Sequence, residues 1–215
     1  QFGSIFGKDP IIHLENFDKQ TVHWGYYLGF NSLDFKIDQN RLVDEIVSEN
    51  TVGFNVGLIG DLRISNHLNL RFEPGLYYTQ RNLTFPGFDN EFDALREVKS
   101  TYIFFPLLVK FSAQRTGNIK PFIVGGVSTA LNLSSNAKAQ DDNENNRFRM
   151  IPWTNFYEVG FGIDIYLEYF KFSQSIRGVF SMDDELKRDN DPNSPWTSSV
   201  QSMSTRGFFI NFTFH

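Results

Sequence analysis

The chain has 215 residues, no cysteine and a formal net charge of −5. This composition excludes a disulfide framework, a thiolate metal site and a lipidated N-terminal cysteine, and its acidic balance argues against a nucleic-acid surface. Phenylalanine supplies 24 residues although the mean hydropathy is −0.32, which favours aromatic stripes that alternate with polar positions. No apolar run approaches the roughly 20 residues that a transmembrane helix needs.

The first 20 residues show no clear alternation, and we interpret residues 1–20 as an arm that precedes the domain of residues 21–215. No signal peptide is present, so Gln1 is interpreted as the residue left after one was removed. From Val22 onward, large apolar residues alternate with small or polar ones, which predicts a strand. The alternation changes parity at residues 31–32, so that Leu33 and Phe35 join the outward apolar set, and this predicts a β-bulge.

Seven further strands follow from the same alternation. They are predicted at residues 52–58, 68–78, 102–111, 121–133, 157–165, 171–181 and 205–214. Pro74 removes a ladder hydrogen bond and predicts a local irregularity, and the faces of the fifth strand remain open. Four long polar connections alternate with three short turns, which is typical of an outer-membrane barrel. The predicted fold is an all-β, eight-stranded antiparallel up-and-down transmembrane β-barrel.

The two faces of the predicted strands differ in charge. One face carries glycines at positions such as 53, 57, 160 and 162, together with six charged side chains: Arg71, Glu73, Lys110, Glu158, Asp164 and Arg177. A soluble ligand barrel of the lipocalin kind would turn this face to water. Apolar and aromatic residues recur on the other face, so we place the charges inside as one polar network without a continuous channel. We assign interface girdles to Trp24, Tyr26, Tyr78, Tyr102, Trp153, Tyr157 and Tyr169.

The last strand, residues 205–214, ends with large apolar residues at alternate positions. The spacing of Thr205, Gly207, Ile210 and Phe212 resembles the C-terminal signal that outer-membrane insertion machinery recognises, and Phe214 completes the apolar face. The alternative is an amphipathic edge strand of a soluble sheet. A barrel in lipid explains the pattern better, because its outer face must be apolar at every other residue.

Two stretches in the middle of the chain resemble a large family of small bacterial outer-membrane barrels. They are residues 104–111 (FFPLLVKF) and residues 120–122 (KPF). Many members of that family carry Glu where this chain has Phe104, so Lys110 is expected to pair with Glu73 or Glu158 instead. Within the family, residues 16–19 and 23–29 resemble the PorT group, which is associated with type IX protein secretion.

Catalysis has little support in the sequence. A hydrolase needs a nucleophile, a His base and a carboxylate that converge, whereas His13, His23, His67 and His215 map to the arm or to the periplasmic ends. The acidic run 141–144 lacks a calcium-loop signature, and the run 183–185, followed by Lys187 and Arg188, is interpreted as surface charge. We therefore predict no enzyme activity, metal or cofactor.

The resemblance implies an accessory or assembly role in a secretion system, carried out through protein–protein contacts in the outer membrane of a Gram-negative bacterium. The expected partners are outer-membrane lipid, the insertion machinery and other secretion proteins. The residues of the arm predicted to contact a partner are Ile11, Ile12, Leu14 and Phe17. Two alternatives remain: a passive OmpA-like barrel whose outer loops bind an external ligand, and a lipid-modifying enzyme.

Overall fold

Alternating side chains give this protein long antiparallel strands. The computed structural model describes residues 12–39, 47–84, 95–135, 150–187 and 200–215. A short 3₁₀ helix, Phe17–Lys19, precedes the first strand. The described strands are β1 (Val22–Gln39), β2 (Val47–Asn50), β3 (Val52–Arg63), β4 (Leu68–Phe72), β5 (Gly75–Thr84), β6 (Leu95–Ser112), β7 (Ile119–Asn132), β8 (Trp153–Tyr166), β9 (Lys171–Ser181) and β10 (Val200–Phe214). None of the described segments forms a helix that is long and apolar enough to cross a membrane.

The strands close into a ring. Strand β1 is antiparallel to β10 on one side and to β3 on the other, so that Tyr26 is opposite both Phe214 and Leu58. Each of the other strands from β6 to β10 pairs with its neighbours in chain order. Strand β2 continues into β3, and β4 continues into β5, so the ten segments form eight strands of the barrel. The predicted eight-stranded up-and-down barrel is confirmed.

The interruption between β4 and β5 lies at Glu73 and Pro74, where the sequence predicts an irregularity. The facing residue on β6 is also a proline, Pro106, and its carbonyl accepts the Glu73 N–H at 3.2 Å. The carbonyl of Pro74 accepts the N–H of Leu58 at 2.9 Å. Both prolines lack an N–H, so the ladder loses donors here while the strand keeps its direction.

Strand faces follow the predicted parity over most of the barrel. On β6, Leu107 and Phe111 are about half exposed on the outside, whereas Leu108 and Lys110 are buried inside. On β10, Phe208 is outward and Phe209 is fully buried. Strand β7, whose faces the sequence leaves open, turns Phe122 inward. The barrel therefore has an apolar outer wall and a mixed, tightly filled interior.

Two assignments of faces are wrong. The pairing of β1 with β10 runs without a shift past residues 31–32, and its irregularity lies at Asp38 and Gln39. Leu33 and Phe35 therefore point inward and are buried. Tyr102, predicted in a girdle, is also buried inside. In both places apolar or aromatic side chains point into the interior near the long loops, so an apolar residue on this stretch does not mark the lipid face.

Candidate functional site

The interior of the barrel is built as layers of side chains between the turn end and the loop end. The central layer joins two arginines through one carboxylate. Glu73 contacts Arg71 at 3.2 Å and Arg177 at 2.9 Å, and Arg177 also contacts Glu158 at 3.2 Å. All four side chains are at most 4% exposed. These contacts of Arg177 are ion pairs, because none of its side-chain nitrogens has the geometry of a hydrogen bond.

Lys110 belongs to a different pair from the one that the sequence predicts. Its Nζ lies 2.5 Å from Asp164 Oδ2, and the other oxygen of Asp164 accepts the hydroxyl of Ser173 at 2.6 Å. Glu73 and Glu158 are engaged by the arginines. The strands of a barrel are staggered, and that stagger brings Lys110 of β6 level with Asp164 of β8.

A fourth carboxylate, Asp61, completes the network and is not among the residues that the sequence predicts. Its Oδ2 lies 3.0 Å from Arg71 Nε, and its Oδ1 accepts the amide of Asn69 at 2.5 Å. A signal was present, because Asp61 has the same parity as Gly53 and Gly57, but the predicted strand ended at residue 58. We call Asp61, Arg71, Glu73, Lys110, Glu158, Asp164 and Arg177 the interior charge network.

An aromatic layer lies above the interior charge network, towards the loops. Tyr77 packs on Phe104 and Phe209 with ring centroids 4.6 and 4.7 Å apart, and Phe104 contacts Phe156 at 5.2 Å. Tyr27 fills the inner wall beside Gly57 and donates a hydrogen bond to the Glu73 carbonyl at 3.2 Å. These rings separate the charges below from the polar layer above.

A second polar layer lies at the loop end and is centred on Arg81. Its guanidinium donates to Thr205 Oγ1 at 2.9 Å and to Tyr102 Oη at 2.8 Å, and it lies 3.8 Å from the Phe35 ring centroid. Glu185 closes this layer, because its carboxylate accepts the N–H of Thr205 at 2.8 Å.

The interpretation of residues 183–185 as surface charge is wrong for Glu185, because this side chain is fully buried. Burial raises the pKa of the Glu185 carboxyl, and the charge of Arg81 opposes that change. Asp183 and Asp184 accept backbone N–H groups of Asn155 and Met203 at 2.7 and 3.0 Å. The acidic run is therefore part of the barrel's loop-side wall. The candidate calcium run 141–144 and Arg188 lie outside the described residues.

The arm closes the turn end of the barrel. Phe17 stacks on His23 with ring centroids 4.4 Å apart, and the ammonium of Lys171 lies 4.8 Å from the Phe17 ring centroid. The carboxylate of Asp18 contacts Tyr166 Oη and Lys120 Nζ. We call Asp18, Arg115, Lys120, Tyr166 and Lys171 the turn-side mouth. Of the predicted partner contacts, Phe17 is used within the chain, Ile12 is exposed, Leu14 is half-buried, and Ile11 lies outside the described residues.

The four histidines lie at the turn end, as the sequence indicates. His67 Nδ1 is 2.9 Å from the carbonyl oxygen of Ser112, and the N–H of His13 donates to Asn118 at 2.9 Å. Within the described parts of the chain, no three His, Asp or Glu side chains form a group that could hold a metal ion. Gly207, Ile210, Phe212 and Phe214 lie on the wall strand β10, and their role as an insertion signal stays a prediction.

The imidazole of His215, which follows β10, is expected to make stability depend on pH. Its Nε2 accepts an N–H of Arg71 at 3.1 Å, which requires a neutral ring. Burial and the nearby charges of Lys171 and Arg71 lower the pKa of His215 from its ordinary 6.5. Below that pH the unfolded chain binds a proton that the folded barrel does not, so this histidine makes the barrel less stable as the pH falls.

Urea unfolding of the wild type and of His215→Gln in lipid vesicles measures this effect. At pH 7.5 the imidazole is neutral in both states and its acceptor is intact, so the wild type is expected to be the more stable. The difference should shrink by up to about 1.4 kcal/mol for each pH unit below 6.5. His67→Gln, at the edge of a turn, controls for the loss of an imidazole. An unchanged difference at pH 5 would show that His215 is not held neutral.

Comparisons with known proteins agree with this architecture. Residues 15–187 match the family described as "Outer membrane protein beta-barrel domain". No curated protein matches the chain. Among solved structures, Neisserial surface protein A is similar at 9% identity over 90% of this chain and 98% of its own, with a TM-score of 0.50. OprG from Pseudomonas aeruginosa is 15% identical over 90% and 94%, with a TM-score of 0.46.

A third solved structure, the outer membrane protein AlkL, is 12% identical over 97% of this chain and 93% of its own, with a TM-score of 0.46. At these identities the likeness to solved structures concerns the fold alone. The family match is of a different kind, because it covers most of the chain. It agrees with the closed ring of strands and the apolar outer wall in placing the protein in the outer membrane. The chain belongs to the outer membrane protein beta-barrel domain family.

Proposed function

We propose that this barrel is a non-catalytic accessory or assembly component of a protein secretion system of the type IX kind, and that it acts through protein–protein contacts. The observation that carries the proposal is the filled interior. Over the described residues, side chains occupy the barrel at successive levels, from the turn-side mouth to the layer of Arg81 and Glu185. A polar cavity of about 10 Å³ beside Lys110 has room for about one water molecule. Such a barrel does not conduct a polypeptide.

The arm gives this component a surface for contacts. Short turns of outer-membrane barrels face the periplasm, so the turn-side mouth and residues 12–20 are proposed to face it too. Ile12 is half exposed there although it is large and apolar. The resemblance of residues 16–29 to the PorT group supports the same role. The proposed partners are secretion proteins on the periplasmic side and outer-membrane lipid around the wall.

Deleting residues 1–16 is expected to abolish cargo export and leave the barrel folded. The deletion removes Ile12 and Leu14 but keeps Phe17 and Asp18, which close the mouth. Export is measured as cargo on the cell surface, and folding as heat-modifiable electrophoretic mobility of the barrel in outer membranes. Lys36→Gln, an exposed change at the loop end, is the matched control and should export normally.

Pull-down from detergent-solubilised membranes tests the partner directly. Secretion components should be recovered with the wild type and lost with the deletion variant. Normal export in cells without the protein would contradict the secretion role. Normal export with the deletion alone would move the contact from the arm to the loops or the outer wall.

A further inference from the structure

The carboxylate of Asp18 is held in the turn-side mouth as a bound ligand would be. Tyr166 Oη lies 2.7 Å and 2.8 Å from its two oxygens, and Lys120 Nζ lies 3.4 Å from one of them. Tyr166 is fully buried and Lys120 is 9% exposed. Both belong to strands of the barrel wall, β8 and β7. The receptor groups are therefore fixed by the barrel, while the carboxylate comes from the arm.

Two further cations lie against the residues next to this carboxylate position. The guanidinium of Arg115 lies 3.7 Å from the Tyr166 ring centroid, and Lys171 is buried on β9 next to Phe17. Lys120 and the Tyr166 phenol thus contact the carboxylate of the arm directly, and Arg115, in the turn before β7, and Lys171 add two cations beside them. Charged hydrogen bonds of this kind are the strong ones in carboxylate recognition.

An open groove of about 420 Å³ leads from the periplasmic surface to this position. Its charged lining has four cations and two anions: Lys19, Arg63, Arg115, Lys120, Glu15 and Asp18. The chain as a whole is acidic, with a net charge of −5, so a basic groove runs against its composition. An extended acidic segment in the groove can bring one of its carboxylates to Lys120 and Tyr166.

The arm is attached in a way that allows exchange. Leu14 has a φ of 51°, which is the left-handed region that a bulky residue rarely adopts. Arg115 fixes the arm through the carbonyl oxygens of His13 and Leu14, and Arg63 through the carbonyl of Lys19 at 3.1 Å. The Asp18 side chain is 31% exposed. The carboxylate is therefore within reach from the groove, and release of the arm removes a strained backbone.

We propose that the turn-side mouth is a carboxylate-binding site which the chain's own Asp18 fills, and that an acidic peptide segment of a partner protein exchanges with it. The inference rests on the proposed function, because it names the kind of partner segment that the periplasmic face accepts. The groove takes an extended chain, and Lys120, Arg115 and Tyr166 supply the donors that its carboxylates need.

Peptide binding to the purified full-length barrel in zwitterionic detergent tests the site. The probes are a dye-labelled ten-residue peptide rich in Asp and Glu, and its matched Asn and Gln counterpart, followed by fluorescence anisotropy. The acidic peptide should bind and the amide peptide should not. Asp18→Asn removes the internal competitor and should tighten binding about ten-fold, whereas Lys120→Gln should weaken it about ten-fold.

Two controls keep the result decisive. Lys120→Arg should restore binding, and this pair decides the matter if Asp18→Asn does not fold. Lys36→Gln removes an exposed cation at the loop end and should leave affinity unchanged. Equal binding of the amide peptide would overturn the proposal. So would binding of vesicles with anionic headgroups by a barrel that ignores the acidic peptide.

Export assays in cells separate this inference from the secretion role. If the barrel binds the acidic peptide through Lys120 but export does not require the barrel, the proposed carboxylate site stands and the proposed secretion role is wrong. If export requires the barrel but the barrel does not distinguish the two peptides, the secretion role stands and the proposed carboxylate site is wrong.

Discussion

Replacing Arg177 by methionine is expected to lower the free energy of unfolding of the barrel by about 3–5 kcal/mol. The guanidinium lies 2.9 Å from Glu73 and 3.2 Å from Glu158, and the three side chains are at most 4% exposed. Methionine keeps much of the volume and removes the charge. Glu73 then keeps its contact with Arg71, whereas Glu158 loses its contact with Arg177, and an uncompensated charge is costly in a buried site.

The matched control is Arg206→Met. Arg206 lies 3.8 Å from Asp34 on the outer wall, and its side chain is 55% exposed. Exposed ion pairs contribute about 0–1 kcal/mol, so this change should hardly move the urea midpoint in lipid vesicles. Adding Glu158→Gln to Arg177→Met should restore part of the stability, because it removes the uncompensated charge. Equal midpoints for Arg177→Met and Arg206→Met would show that the interior charge network is exposed to water.

The parity of strands was predictable because the two faces of a barrel wall meet different media. Leu107 and Lys110 on β6 differ in chemistry for this reason, and their faces follow from the sequence. Leu33 and Phe35 do not follow the same rule, because near the loop end of β1 the apolar residues lie on the inner face, whereas Asp34 and Lys36 lie on the outer face. The alternation alone does not say which face is the inner one there, and the continuous pairing with β10 decides it.

Contacts between side chains across the barrel were harder to predict from the sequence. Lys110 and Asp164 were both placed inside by parity, but their contact depends on the stagger between β6 and β8. The burial of Glu185 depends on the path of its chain over Arg81. Asp18 has no periodic signal at all, because it lies in the arm, and its contact with Tyr166 joins residues 148 positions apart. Local patterns do not encode such contacts.

A methyl group on the inner wall at Gly57 is expected to destabilise the barrel by about 3 kcal/mol, at the upper end of typical overpacking costs. The added Cβ would lie 2.4 Å from the carbonyl oxygen of Pro74 and 2.5 Å from Tyr27 Oη. Neither atom is free to move. The carbonyl accepts the N–H of Leu58 at 2.9 Å, and the phenol is hydrogen-bonded to the Glu73 carbonyl and to Tyr77 Oη.

Gly125→Ala is the matched control for Gly57→Ala, because the nearest atom to its added Cβ is the Glu158 carbonyl oxygen at 3.4 Å. Both variants lose one strand glycine, so they differ in the space available and not in backbone entropy. Tyr27→Phe in the Gly57→Ala background removes the contact with the hydroxyl but keeps those with Pro74 and with the ring carbon Cε1, which lies 2.6 Å from the added Cβ, and should therefore recover only part of the loss. Urea midpoints in lipid vesicles measure all three. If Gly57→Ala and Gly125→Ala unfold at the same midpoint, Tyr27 is not packed against the wall at Gly57.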